Sequence, residues 1–300
     1  MQRVLSALPG GDRANFVFQR YVTRGLPLTD VKLRRSIEQG VAHVQRLESV
    51  SGRSVRGRQF FEFGAGYDLH MPLVLWCLGV DRQSVIDIRS LARTDLVEGV
   101  ARRLAGTLRH PNFVRVPPSM AELDLAYDQW LPSLLAELGI EYQAPRDARA
   151  TGLPEGSVDF VTSTNTLEHV PQDDIAAILR ECRRILRDDG LMSFKIDYKD
   201  HYSYFDDSIS AYNFLTLDEA TWRRHNPSLA FQNRLRHRQY VDIIRAAGFE
   251  IVEEDVTRGS AEDLAVLRSM PLAPPFAGVA VEDLAVRASR MVLAKATATP

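Results

Sequence analysis

The chain has 300 residues, 45% hydrophobic and 25% charged, with a formal net charge of −2. That composition fits a water-soluble globular protein able to bury about three quarters of its unfolded surface, and the near-neutral charge argues against an electrostatic nucleic-acid binder. No basic-then-apolar leader opens the sequence and the longest apolar run, Met71 to Val80, is too short for a bilayer, so a cytoplasmic protein with no membrane partner is expected.

In chain order, residues 1–58 read as an N-terminal helical extension. Thr29-Asp30 can cap a helix there, with Val31, Ile37, Val41, Val44 and Leu47 at near-helical spacing. A strand over 59–63 carries Glu62 and runs through Gly64-Ala65-Gly66 into a helix over 68–79, with Pro72 in its first turn. Glycine at 64 and 66 lets backbone approach a ligand with no Cβ in the way. A second strand, over 84–88, holds Asp87 and Ile88, and a carboxylate there can accept hydrogen bonds from both hydroxyls of a ribose. Helices are expected over 92–108 and 117–139, the second a packed insertion with Trp130, Leu134, Leu135 and Leu138 on one side. Strands over 140–144 and 158–163 flank Arg146-Asp147-Ala148. The stripe Ile175, Ile178, Leu179, Cys182, Ile185 and Leu186, opposite four arginines, predicts a helix over 173–187 that Gly190 would end. Cys77 and Cys182 both lie in apolar helical patterns and read as packing residues. Strands over 191–196, 249–256 and 287–295 follow, with a helix over 238–247 and a Pro-rich loop at 271–275. Alternating strands and helices imply a doubly wound α/β fold, its mainly parallel sheet covered on both faces.

The glycine turn departs from a dinucleotide fingerprint. Leu69 stands where a third glycine would pack helix against strand, and the Glu62 carboxylate is a poor neighbour for a diphosphate. Glu62-x-Gly64-x-Gly66 resembles motif I of class I S-adenosylmethionine-dependent methyltransferases, of the small-molecule type. The likeness runs over roughly residues 58–200. It continues through Arg146 to Val161, through Thr164-Asn165-Thr166-Leu167-Glu168-His169-Val170 after strand four, and through Ile185 to Leu191, where Asp189 replaces the family's first glycine. The resemblance implies a Rossmann-like sheet of order 3-2-1-4-5-7-6 with the last strand antiparallel, within a methyltransferase domain over 59–300. It also implies S-adenosylmethionine as cofactor, held by Glu62, Gly64, Ala65, Gly66, Asp87, Ile88, Asp147, Ala148 and Asn165. Some relatives bind magnesium at Glu-x-x-Glu-His; here Asn165 takes the first place, so no metal is expected.

Candidate chemistry beyond the cofactor lies after strand five, in Asp197 to Asp207, where titratable and aromatic residues concentrate. His201 is the expected general base, with Asp200 beside it, because an imidazole can be neutral at working pH. Tyr202, Arg234 and Arg236 are expected at the acceptor, within a covering segment over 198–238; a guanidinium fork suits carboxylate or phosphate. Internal hydrogen bonding for His201 and Asp200, a solvated or salt-bridged basic face, and a core role for Tyr202, Tyr204, Tyr212 and Trp222 are the alternatives. The expected reaction is O-methylation of a small-molecule or glycan acceptor. N- or C-methylation, a macromolecular acceptor, a non-catalytic S-adenosylmethionine-binding partner and a nicotinamide oxidoreductase are the rivals. Neither the acceptor nor the oligomeric state is legible in the residues.

Overall fold

A computed structural model describes Phe16, Arg20 and residues 25–297 apart from 119, 124 and 125. The rest of the expected N-terminal extension, and those three positions of the expected insertion, lie outside the described residues. Seven strands form one sheet in the order β3-β2-β1-β4-β5-β7-β6. They are β1 (Gln59–Phe63), β2 (Arg82–Ile86), β3 (Ile140–Gln143), β4 (Val158–Thr164), β5 (Leu186–Asp197), β6 (Phe249–Thr257) and β7 (Ala288–Lys295). Strands β1 to β5 pair in parallel, and β7 runs antiparallel to both β5 and β6. The sheet order and the antiparallel last strand match the expectation.

Because successive side chains of a strand point to opposite faces, β1 feeds two cores. Phe60 joins Phe160 in a layer under helices α1 (Asp30–Ser51), α2 (His70–Cys77), α3 (Thr94–Ala105) and α4 (Tyr127–Glu137). Phe61 and Phe63 join Met192 and Phe194 under α5 (Gln172–Ile185) and α6 (His237–Ala246). Cys77 lies in the first layer and Cys182 in the second; both are free and buried. A third cluster gathers Tyr212, Phe214, Trp222, Leu267 of α7 (Ala261–Ser269), and Phe276.

Helix α1 is a layer of this core. Thr29 accepts from the Lys32 N–H at its start, and Leu33, Ile37, Val44 and Leu47 are buried. Gly40 lets α1 approach α2, since a Cβ there would stand 2.5 Å from Val74 Cγ1. His43, on the same face, reaches down to the sheet: its Nδ1 lies 2.7 Å from Ser193 Oγ and its Nε2 2.9 Å from Thr164 Oγ1.

Two expected boundaries are corrected. Helix α5 ends at Ile185, and Leu186 turns straight into β5, which begins five residues before the expected 191. Gly190 therefore lies inside the strand, where a Cβ would come within 2.9 Å of the Asp159 carbonyl oxygen. Its smallness serves sheet packing, not a helix cap. Strand β2 ends at Ile86, leaving Asp87 and Ile88 in the following turn, free to face a ligand. Among the described residues, no helix is long and apolar enough to cross a membrane.

Candidate functional site

The parallel strands end together, and the turns after β1, β2 and β4 surround a cavity of about 290 Å³. Its wall includes Gly64, Gly66, Asp87, Ile88, Asp147 and Asn165. Gly64 sits at φ 84°, and a Cβ there would lie 2.4 Å from Thr166 Cγ2, so only glycine fits this backbone. The Gly66 N–H donates to Asp87 Oδ2 at 3.0 Å, and the Arg89 N–H donates to Asp87 Oδ1 at 3.0 Å. The two expected motif residues are thus joined directly, and both line the cavity. Ile88 is 64% exposed and lines the same cavity. Asn165 adopts φ 51° and is held from both sides of its residue: its N–H donates to the Lys195 carbonyl at 2.9 Å, and Lys195 Nζ donates to its Oδ1 at 3.1 Å.

Other residues stand differently from expectation. Ala65 is buried in the first core layer and Glu62 lies behind the turn, 4% exposed, 3.4 Å from Thr162 Oγ1; neither lines the cavity. Burial pushes the Glu62 carboxyl up to about 8, against the smaller opposing pull of His70 and Thr162. Asp147 reaches the wall, but Arg149 forks onto it, Nη2 to Oδ2 at 2.6 Å, and its carboxyl is held below the usual range chiefly by those hydrogen bonds. Arg149 also ion-pairs with Asp174 on α5, and both line the cavity. Arg146 gives Nε and Nη2 to the Thr151 carbonyl. The sequence signal for these partners was weak, because Arg146, Arg149 and Asp174 look like ordinary surface charges.

Arg234 and Arg236, expected at the acceptor, are buried struts instead. Arg234 donates to the carbonyls of Phe214 and Leu217 and to Glu219. Arg236, 2% exposed, donates to the carbonyls of Tyr198, Leu284 and Val286. Guanidinium groups consumed this way have no fork left for a ligand, which corrects that expectation. Tyr202 is 41% exposed and donates its hydroxyl to the His225 carbonyl at 2.6 Å. Tyr212 and Trp222 belong to the third core cluster. Asp200 is 1% exposed and accepts from the Tyr202 N–H at 2.9 Å, shaping the turn. The carboxylate that approaches the His201 ring is Asp197, with Oδ2 3.8 Å from His201 Nε2.

His201 also meets the post-β4 motif. Its ring packs edge-on against His169 with centroids 4.9 Å apart, and the ligating atoms of Glu168, His169 and His201 all lie within 4.8 Å of one another. His201 Nε2 is buried without a hydrogen-bond partner. Burial, then the neighbouring His169, lowers His201 to about 4, so its imidazole is neutral at ordinary pH. Burial raises Glu168 to about 8. His169 belongs to the cavity wall as well, so this cluster adjoins the cavity through His169.

Residues 119–194 match the family model described as a methyltransferase domain. That match covers part of the chain, and the sheet has the strand order expected of a class I methyltransferase. The cavity fits the expected S-adenosylmethionine, with glycines that leave room for a ligand and a backbone-held carboxylate at the turn after β2. No curated protein sequence matches the chain. Among solved structures, the chain is similar to the 1,6-didemethyltoxoflavin-N1-methyltransferase of Burkholderia thailandensis (14% identity, 95% of this chain and 87% of that one, TM-score 0.48). It is also similar to a geranyl diphosphate methyltransferase (12% identity, 90% and 93%, TM-score 0.48) and to the [4+2]-cyclase SpnF (13% identity, 88% and 82%, TM-score 0.46).

Proposed function

We propose that this methyltransferase O-methylates a small-molecule or glycan acceptor bound at the end of the cavity where His169 and His201 stand. When bound, S-adenosylmethionine supplies a methyl carbon on a cationic sulfur, open to in-line attack by the acceptor. Gly64, Gly66, Asp87, Ile88, Asp147, Ala148 and Asn165 hold the cofactor, with Asp87 on the ribose and Ile88 against the base. Glu62 and Ala65 support that turn from behind. The residues' main contribution is alignment, which can lower a barrier by about 7–11 kcal/mol at the extreme. His201, neutral and with Nε2 unpartnered, takes the acceptor's hydroxyl proton. Asp200 keeps the turn that presents His201, and the segment 198–238, including Tyr202, covers the acceptor and excludes water.

The observation that supports this reading is the junction of the cavity with the Glu168, His169 and His201 cluster. A labelled-methyl assay across hydroxyl, amine, carbon and macromolecular acceptors tests it. We expect label in a hydroxyl acceptor, an Asp87→Ala enzyme that loses cofactor affinity by calorimetry, and a His201→Ala enzyme that binds cofactor normally but turns over at least about a hundredfold more slowly. Label only in amines, or only in RNA or protein, would move the acceptor class. Cofactor binding without transfer to any acceptor would favour a non-catalytic partner role.

A further inference from the structure

Positive charge gathers at the end of β5 and is only partly answered there. Strand alternation puts Ser193, Lys195 and Asp197 on the face that α1 covers, and β7 sets Arg290 directly opposite Lys195. Cations facing each other across a ladder repel. Arg290 stands 3.7 Å from Asp255, a carboxylate that Arg46 also contacts. Lys195 is half-buried, and its hydrogen-bond partner is a neutral amide, Asn165 Oδ1 at 3.1 Å. Burial lowers its pKa below the usual lysine range, and Arg290 and Lys199 add to that against the pull of Asp197 and Glu168.

Lys199, just past the strand, repeats the pattern. Its Nζ lies 4.5 Å over the Tyr204 ring and 3.8 Å from Asp197 Oδ2. Burial lowers it too, and Arg287 and the exposed Arg35 of α1 act in the same direction. Asp197 is shared, since it accepts from the Tyr204 hydroxyl and lies 3.8 Å from His201 Nε2. Glu168, raised to about 8 by burial, adds little negative charge at neutral pH. Two partly desolvated lysines therefore face one divided carboxylate, a costly surplus of positive charge that an anionic ligand would neutralise. Both adjoin the site already described. Lys195 holds Asn165 of the cavity wall, and the Tyr204 ring under Lys199 lies 5.3 Å from that of His201.

We propose that the methyl acceptor carries an oxyanion, a carboxylate or a phosphate, bound by Lys195 and Lys199 with Arg35 adding attraction from α1. This inference rests on the methyl-transfer reading and narrows its acceptor to acids. The arginines expected for that task, Arg234 and Arg236, are consumed by buried carbonyls, so the charge comes from the end of β5 and its turn. An ammonium is a compact point charge that accepts either oxyanion, without the planar match a guanidinium demands. A neutral acceptor leaves the lysines unanswered and is disfavoured for that reason.

The test uses the full chain saturated with S-adenosylhomocysteine and three probes of similar shape: benzoate, phenyl phosphate and uncharged benzamide. Calorimetry is expected to give one of the anions a Kd at least about tenfold below that of benzamide, and the tighter of the two tells carboxylate from phosphate. Lys199→Gln, folded by circular dichroism and still binding S-adenosylhomocysteine, should lose that preference, whereas exposed Arg102→Gln on α3 should keep it. Lys195 stays in place because it also holds Asn165. In the labelled-methyl assay Lys199→Gln should raise the KM of an acidic acceptor about tenfold with kcat little changed, a split that a merely structural role would not produce. Benzamide bound as tightly as both anions, no binding of any probe, or a preference that survives Lys199→Gln overturns the proposal. Faster transfer to neutral acceptors than to acids overturns it as well, and leaves the methyltransferase reading intact. Anion binding by a chain that methylates no acceptor would sink the transfer reading and leave the anion site standing.

Discussion

Glu62 shows how one residue carries two kinds of information. In the sequence it marks the end of a strand before a ligand-binding turn; in the fold it is a carboxyl buried behind that turn. Its raised value of about 8 means that the folded chain holds the proton more tightly than the unfolded one. The stabilisation linked to that proton is complete below about 4.5 and disappears as pH rises through about 8. Glu62→Gln cannot ionise, so its stability relative to wild type should rise between pH 5 and pH 8, on the order of a few kcal/mol at the upper end. Thermal denaturation of the cofactor-free proteins at several pH values measures this, and parallel curves for the two would refute it. Asp87, by contrast, was fully legible: an acid after the second strand, which the fold holds by two backbone N–H groups. Arg234 and Arg236 were not, because a basic run reads alike whether it faces solvent, a ligand or a cluster of buried carbonyls.

At the level of elements, periodicity located every strand of the sheet to within a few residues, and the composition of each element explains why. Helix α5 shows an unbroken apolar stripe, so its existence is plain in the sequence, but the stripe runs on past its end, since β5 begins without an intervening turn. The docking of α1 had a weaker signal. Its closest approach to α2 depends on Gly40, and helix propensity alone would favour alanine there by about 1 kcal/mol. A Cβ at that position meets Val74, a β-branched side chain with little freedom to move aside, at 2.5 Å. Overpacking of this kind costs about 1–3 kcal/mol, so Gly40→Ala should lower stability despite the propensity gain. Urea denaturation decides the sign. Displacing α1 would also disturb His43, whose two ring nitrogens bridge to the sheet.

Across the whole molecule, the segment after β5 is tied down by buried arginines. Arg236 links the carbonyl of Tyr198, next to the candidate site, with those of Leu284 and Val286 before β7. Lysine has no planar fork with which to reach three carbonyls at once. Arg236→Lys is expected to cost about 3 kcal/mol or more, since hydrogen bonds to a charged donor are worth about 1.5–3 kcal/mol each and the orphaned carbonyls stay buried. Arg234→Gln should likewise lower the melting temperature while leaving the acceptor KM of the folded enzyme unchanged. A raised KM at unchanged stability would return Arg234 to the acceptor site.

What the sequence determined alone was local: strand and helix periods, the glycine turn at 64–66, the acid at 87, and the order of these parts along the chain. Those signals lie within a few residues of one another, and backbone sterics and side-chain alternation impose them wherever they occur. Tertiary structure decided which distant groups meet. His201 stands 32 residues beyond His169, and only the parallel pairing of β4 with β5 brings the two loops to one sheet edge. Burial decided the rest, because whether a carboxyl or a guanidinium is solvated, paired or stranded depends on the packing around it, which no local pattern records.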